Sequence, residues 1–390
     1  MDIKSSKRHR NRILGTCRTV KISLRSLFIP DIYDLCLAAF ITFITFSIWI
    51  VTSKRYKFDS IYTFWDAPNS LVWIQGNLDE SDDLFSIYYE TSAKDIIFPH
   101  CGYYLYMYLM YIISFGNFKL TLLNSIIISG ILSVYLFRRL LVVYKPVKNI
   151  LFSCIIFCLV PLHQVMYRAV PTYDTFFFCV IMLALILSKL GLHILAAACS
   201  VYLCFIRFEG IIVPITLFIV SAIRLDVKDL ITYLISILFD FFFLIFNVPW
   251  KSYLIPNQLH SESFISVPLN ATLQQISSIS TLMKGNSYLI SHCIFLLGAG
   301  SLVTNALPLS IFCYLWEFFY SCLTNSEPIR FTIPMETIAI VCGFDMLWNS
   351  KGSRFMLVIM CPAYMFLILF FCPQQYQAYQ QSKQIWNAFR

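Results

Sequence analysis

A small set of ionisable side chains stands where apolar runs give way to polar loops. Asp66 opens FWDAPNSLVWIQGN, Arg168 and Asp174 flank Pro171 in YRAVPTYD, Arg207 and Glu209 belong to RFEG, and Lys251 follows VPW. Arginine and lysine neutralise a phosphate leaving group. A carboxylate takes a proton from an attacking hydroxyl, or holds a divalent metal through hard oxygen ligands. Acids beside guanidiniums at one membrane surface would suit a reaction on a lipid-linked phosphate.

Each residue also has a structural reading. Asp66 precedes Ala67-Pro68 and the amphipathic Ser70–Gln75. It fits a helix N-cap worth about 1 kcal/mol, with Gly76-Asn77 ending the helix. Asp174 fits the first turn of a helix, where the dipole favours an anion. Arg207 and Glu209 can pair with each other. The deeper acids Asp240, Glu317, Glu336 and Asp345 should face a cavity or a partner, because a charge at the bilayer centre costs about 2.5–3.5 kcal/mol on insertion scales.

These residues need elements to position them, and composition says which kind. Of 390 residues 58% are hydrophobic and 13% charged, and the mean hydropathy is +0.71. So much apolar surface predicts an all-α, polytopic membrane protein. Lys4, Lys7, Arg8, Arg10, Arg12, Arg18, Lys21 and Arg25 crowd the segment before the first apolar run. They read as a positive-inside anchor holding residues 1–31 in the cytosol, in preference to a nucleic-acid-binding arm. The first run lacks a small-residue cleavage site and reads as a signal anchor. The 14 cysteines lack CxxC or metal spacing and read as small buried residues.

Apolar runs and basic clusters then set the passes, with a membrane domain over residues 32–372. Ile32–Thr52 runs outward. A first lumenal loop, residues 53–117, carries an excess of acids and ends in the Tyr-rich stretch His100–Gly116, expected to lie in the outer interface. Phe118–Phe137 returns to Arg138 and Arg139. Ile150–Met166, Thr175–Ser188, Leu192–Ile206, Ile211–Ile223 and Leu230–Trp250 alternate after it. A second lumenal loop, residues 251–286, holds Asn270-Ala271-Thr272, a glycosylation sequon. Ile290–Leu323 reads as two tight passes around Thr304-Asn305. Ile333–Trp348 and Phe355–Cys372 make about 11 spans in all. Residues 373–390 form a Gln-rich tail. No inverted repeat of the transporter kind is visible.

The order of these motifs resembles that of the C-type membrane glycosyltransferases (the GT-C superfamily). That group includes dolichyl-phosphate-mannose-dependent mannosyltransferases and lipid A aminoarabinose transferases. The resemblance rests on Asp66, Gly76 and the aromatic stretch from Pro99 and His100 through Tyr106, on Asp174 in YRAVPTYDTFFF, on RFEG, and on RFTIP at Arg330–Pro334. Ala67 stands where members often carry a second acid. The resemblance implies an endoplasmic-reticulum enzyme that transfers a sugar, mannose above all, from a dolichyl-type polyprenyl phosphate to a lumenal glycan or protein acceptor, with inversion. Asp66 would be the base, Asp174 its assistant or metal-sharing partner, and Arg168, Arg207, Glu209, Lys251, His100 and Arg330 would line the donor site. A different expectation is a non-catalytic membrane subunit that keeps this fold beside a partner. A lipid or solute transporter is a third.

Overall fold

The computed structural model describes residues 28–64, 70–71, 74, 101–160, 162–247, 284–321, 328–348 and 350–378. Among them the chain is all-helical, with no strand. The helices in chain order are α1 (Ile32–Arg55), α2 (Asp59–Tyr62), α3 (Cys101–Ile113), α4 (Phe118–Tyr144), α5 (Ile150–Leu159), α6 (Leu162–Arg168), α7 (Tyr173–Lys189) and α8 (His193–Ile206). A 3-10 turn (Phe208–Ile211) follows. Then come α9 (Ile212–Arg224), α10 (Val227–Asn247), α11 (Lys284–Ser301), α12 (Leu307–Ser321), α13 (Pro328–Gly343), α14 (Asp345–Trp348) and α15 (Lys351–Ala378). Among the described residues, α1 and α4 are long and apolar enough to cross a membrane by length and composition; several shorter apolar helices accompany them.

Local chemistry accounts for the boundaries. Asp31 caps α1 through its side chain, which accepts from the backbone N–H groups of Tyr33 and Asp34. Asp34 answers by accepting from the Asp31 N–H, a reciprocal capping box. Asn117 and Asn149 cap α4 and α5 singly, their side chains accepting from the Leu120 and Phe152 N–H groups. The expected pass from 150 to 166 is broken: α5 stops at Leu159, Val160 is extended, and α6 begins at Leu162. Pro161 in the sequence has no N–H to continue the ladder. α4 does the reverse and runs on through Arg138 and Arg139 to Tyr144. These two arginines do not end it, because they have partners. Arg138 binds Asp31 and Asp34, each at 2.7 Å, and Arg139 pairs with Asp34. This clamp joins the start of α1 to the last turns of α4.

The helices alternate between two ends of a bundle. At the clamp end lie Asp31, Arg138, Lys189 and Arg224. At the other end Trp49 of α1 donates from Nε1 to Ala169 O at 2.9 Å, just after α6. α3 lies across this second end. Its Tyr106 stacks on Phe176 of α7 at 4.0 Å and donates to Ser125 O in the early turns of α4. Tyr103 donates to Pro171 O, and Tyr202 of α8 donates to Gly102 O. A Cβ on Gly102 would meet Ile206 Cγ1 at 2.9 Å, so glycine permits the close crossing. The core runs along α4, α5, α7 and α12, with Phe137, Phe157, Phe177, Phe312 and Trp316 fully or almost fully buried. Large apolar side chains also cover the outside, among them Phe43 on α1, Phe242 on α10, Leu297 on α11 and Phe366 on α15.

Candidate functional site

The end crossed by α3 collects the ionisable residues singled out by sequence. α8 stops at Ile206, and Arg207 adopts an extended backbone (φ −153°, ψ 140°). The chain then folds into the short 3-10 turn. Gly210 lies so close to α8 that a Cβ there would stand 2.5 Å from the Leu203 carbonyl carbon and 2.7 Å from Cys204 N. Glycine is what lets this turn press back on the helix. The reversal brings Glu209 against the guanidinium of Arg207. Arg207 Nη2 meets Glu209 Oε1 at 2.6 Å and Nε meets Oε2 at 3.2 Å, a bidentate fork. Its Nη1 reaches Asp174 Oδ1 at 2.8 Å, in the first turn of α7.

All three side chains are at most 3% exposed. The Arg207 guanidinium also lies 5.5 Å from the Tyr173 ring centroid and 5.1 Å from that of Phe177. Both rings come from α7, four residues apart, and so share a helix face. A cation screened from water is thus held by two carboxylates and two aromatic faces. The three charges sum to one net negative. Asp174 does not cap α7; Thr172 is the N-cap residue, and Asp174 meets the dipole from within the first turn.

Arg168 lies nearby but serves another purpose. It is 2% exposed and donates to Phe157 O at 3.3 Å and Cys158 O at 2.5 Å. These are carbonyls of the last turn of α5, freed by the break before α6. Arg168 therefore caps α5 from the end of α6, and its guanidinium packs over Phe157. Tyr376 of α15 donates to Met166 O at 2.7 Å beside it. Phe64 packs on both Tyr167 and Tyr376, with centroids 5.8 Å and 5.2 Å apart. This places the residue two before Asp66 at the same end of the bundle.

Asp66, His100, Lys251 and Asn270 lie outside the described residues. Arg330 falls in the first turn of α13. The structure thus brings Asp174, Arg207 and Glu209 into one cluster, with Arg168 on a separate helix end. Sequence reasoning did not find Tyr173 and Phe177 as partners of Arg207, although their i, i+4 spacing at the start of an apolar run was visible. It also missed the chain at the clamp end that links Asp229, His193, Tyr233 and Ser188. There His193 Nε2 meets Asp229 at 3.0 Å, His193 Nδ1 meets the Tyr233 hydroxyl at 2.9 Å, and that hydroxyl meets Ser188 Oγ at 2.9 Å.

The deeper acids separate into paired and unpaired. Asp345 accepts the Lys148 N–H at 3.1 Å and 3.2 Å. Glu317 pairs with His292. Asp240, fully buried on α10, has neither an ion-pair partner nor a nitrogen or oxygen donor among the described residues and faces the Cys204 thiol.

Asp66, the expected partner of Asp174 in holding a divalent ion, lies outside the described residues. No group of three or more His, Cys, Asp or Glu side chains converges among them, and the Asp174 carboxylate is already engaged by a guanidinium. No family model, curated protein or solved structure matches this chain.

Proposed function

We propose that the chain is a multi-pass membrane glycosyltransferase of the C-type kind, with its reaction centre at the Asp174–Arg207 end. In this reading α1, α4, the broken α5–α6 pair, α7, α8, α9, α10, α11, α12, α13 and α15 make about 11 passes. α3 lies in the outer interface. The apolar side chains on the outside of the bundle support it, since contiguous apolar surface of this extent suits lipid. The basic N-terminus sits in the cytosol, and the active end faces the lumen of the endoplasmic reticulum.

The single observation that carries the reading is the convergence of Asp174, Arg207 and Glu209 in one buried cluster, at the end where α3 packs and where Phe64, two residues before Asp66 in the sequence, meets Tyr167. The reaction follows from the resemblance. The acceptor hydroxyl attacks the anomeric carbon of a polyprenyl-phosphate sugar, most simply mannose, and its proton passes to the Asp66 carboxylate. The bond from the anomeric carbon to the phosphate oxygen breaks, and polyprenyl phosphate leaves with the electron pair. Because Arg207 is held by two carboxylates and Arg168 caps α5, we assign neutralisation of the leaving phosphate to Lys251 and Arg330. The Asp174–Arg207–Glu209 cluster then shapes the floor of the site, and Asp174 positions where it does not react. No step here needs a metal.

The saturation of both internal arginines favours a second reading, a non-catalytic membrane subunit that retains the fold beside a partner. Transfer assays with dolichyl-phosphate mannose in microsomes separate the two. Asp66→Asn at normal expression should cost at least a hundredfold in transfer if Asp66 is the base. Undiminished transfer would remove the base role. If loss of the chain lowers a partner's abundance while Asp66→Asn and Lys251→Gln are silent, the subunit reading stands.

A further inference from the structure

A solvent-facing cleft lies at the opposite end of the bundle. There the ends of α4, α7 and α9 and the turn between α11 and α12 line a cleft of about 60 Å³, open to solvent. Tyr144, Lys189, Arg224, Thr304, Asn305 and Leu307 are among its walls. Lys189 and Arg224 are the last residues of α7 and α9, so two cations arrive from different helices at one opening. The Lys189 ammonium is steered by the Tyr144 ring, 5.6 Å from its centroid, and Tyr144 is itself fixed by donating to Leu185 O at 3.0 Å.

The acids close by are Asp226 and Asp229. Asp229 is engaged by His193 and lies within electrostatic reach of Arg224, and Asp226 accepts the Asp229 N–H at 3.4 Å; neither lines the cleft. Thr304 and Asn305, both exposed, add a hydroxyl and an amide on the far wall. Charge, donors and concavity therefore point to one class of ligand. We propose that this cleft binds a phosphate-bearing anion, either the headgroup of an acidic phospholipid of the cytosolic leaflet or a free phosphate. The lipid source rests on the membrane reading above; the site itself does not. A phosphate there would bridge α7 and α9 to the α11–α12 turn, and basic clefts between membrane helices on the cytosolic side suit such headgroups.

The test uses the full chain in neutral detergent and thermophoretic titration with dioctanoyl phosphatidic acid, dioctanoyl phosphatidylcholine and inorganic phosphate. Phosphatidic acid should bind, and the Lys189→Gln/Arg224→Gln double variant should weaken it at least tenfold. Lys145→Gln/Lys148→Gln, on the same end but outside the cleft, should change it less than twofold. Tighter binding of phosphatidic acid than of inorganic phosphate assigns a lipid, and equal binding with the same variant dependence assigns free phosphate. The proposal falls if neither phosphatidic acid nor phosphate binds, if phosphatidylcholine binds as well as phosphatidic acid, or if the two double variants lose affinity equally. Should the first double variant lose its thermal transition, the exposed pair Thr304→Val/Asn305→Leu serves in its place, and unchanged affinity there overturns the site.

Discussion

Arg207 shows how one side chain can be read correctly in kind and incompletely in setting. Its partnership with Glu209, two residues on, was legible because both are long, of opposite charge and in a four-residue stretch. The bond to Asp174 was not, since it depends on how α7 and α8 dock across 33 residues of sequence. Removing the guanidinium leaves two buried carboxylates without their shared partner. Arg207→Met should therefore destabilise the fold by about 3–5 kcal/mol, read as a lower thermal midpoint in detergent. Glu209→Gln keeps the shape and should cost less. Arg168 was read from sequence as a phosphate ligand and lies instead against the last carbonyls of α5. Charged hydrogen bonds of that kind contribute about 1.5–3 kcal/mol. Arg168→Met should lower stability by that order and leave donor-substrate affinity unchanged when tested by competition with polyprenyl phosphate.

Among elements, the apolar runs located the described helices well, and their ends less well. Boundaries moved where a charge found a partner or a backbone group lost one. α4 outran its expected end at Phe137 because Asp31 and Asp34 neutralise Arg138 and Arg139, while the pass from Ile150 broke where Pro161 interrupts the ladder. The coupling of the capping box at Asp31 and Asp34 to α4 was not legible in the sequence, because it joins groups 104 residues apart. Burial raises the pKa of the Asp31 carboxyl, but the bonds from Arg138 and from the Asp34 and Tyr33 N–H groups together outweigh burial and hold it below the usual carboxylate value. The contribution of Asp31 to stability is then present above about pH 4, the unfolded carboxyl value, and fades as pH falls through the lower folded value. The thermal midpoint of the native chain should exceed that of Asp31→Asn at pH 7, and the two should converge in stronger acid. At the other end, Gly102→Val would overpack the crossing of α3 on α8 and cost about 1–3 kcal/mol, seen as faster proteolysis near α3.

For the whole molecule, composition gave an all-α fold. The pattern of charge predicted ionic residues at two ends; among the described residues Asp174, Arg207 and Glu209 gather at one end and Asp31, Asp34, Arg138 and Arg139 at the other. The chemistry at the Asp174 end was legible only as a grouping, because the partners of each residue come from tertiary packing, and Asp66, His100, Lys251 and Asn270 lie outside the described residues. The two-ended arrangement makes a topological prediction. Asn270→Gln should abolish a glycosidase-sensitive mobility shift in microsomes. Lys228→Cys, at the start of α10, should react with an impermeant maleimide from the cytosolic side only. A glycan on Asn270 together with lumenal labelling of Lys228→Cys would rule out a single crossing by α10 between them.

The clamp between α1 and α4 also sets a schedule for synthesis. Asp34 meets Arg138 across 104 residues of chain, and at about 5–20 residues per second the ribosome needs about 5–20 s to supply that partner. During that interval the start of α1 carries two carboxylates without their guanidiniums. In the membrane reading proposed above, the first helix waits in the translocation machinery, or beside a chaperone, until the fourth arrives. Nascent chains stalled before Arg138 should therefore hold α1 in crosslinking reach of the translocon, and chains stalled beyond Tyr144 should release it.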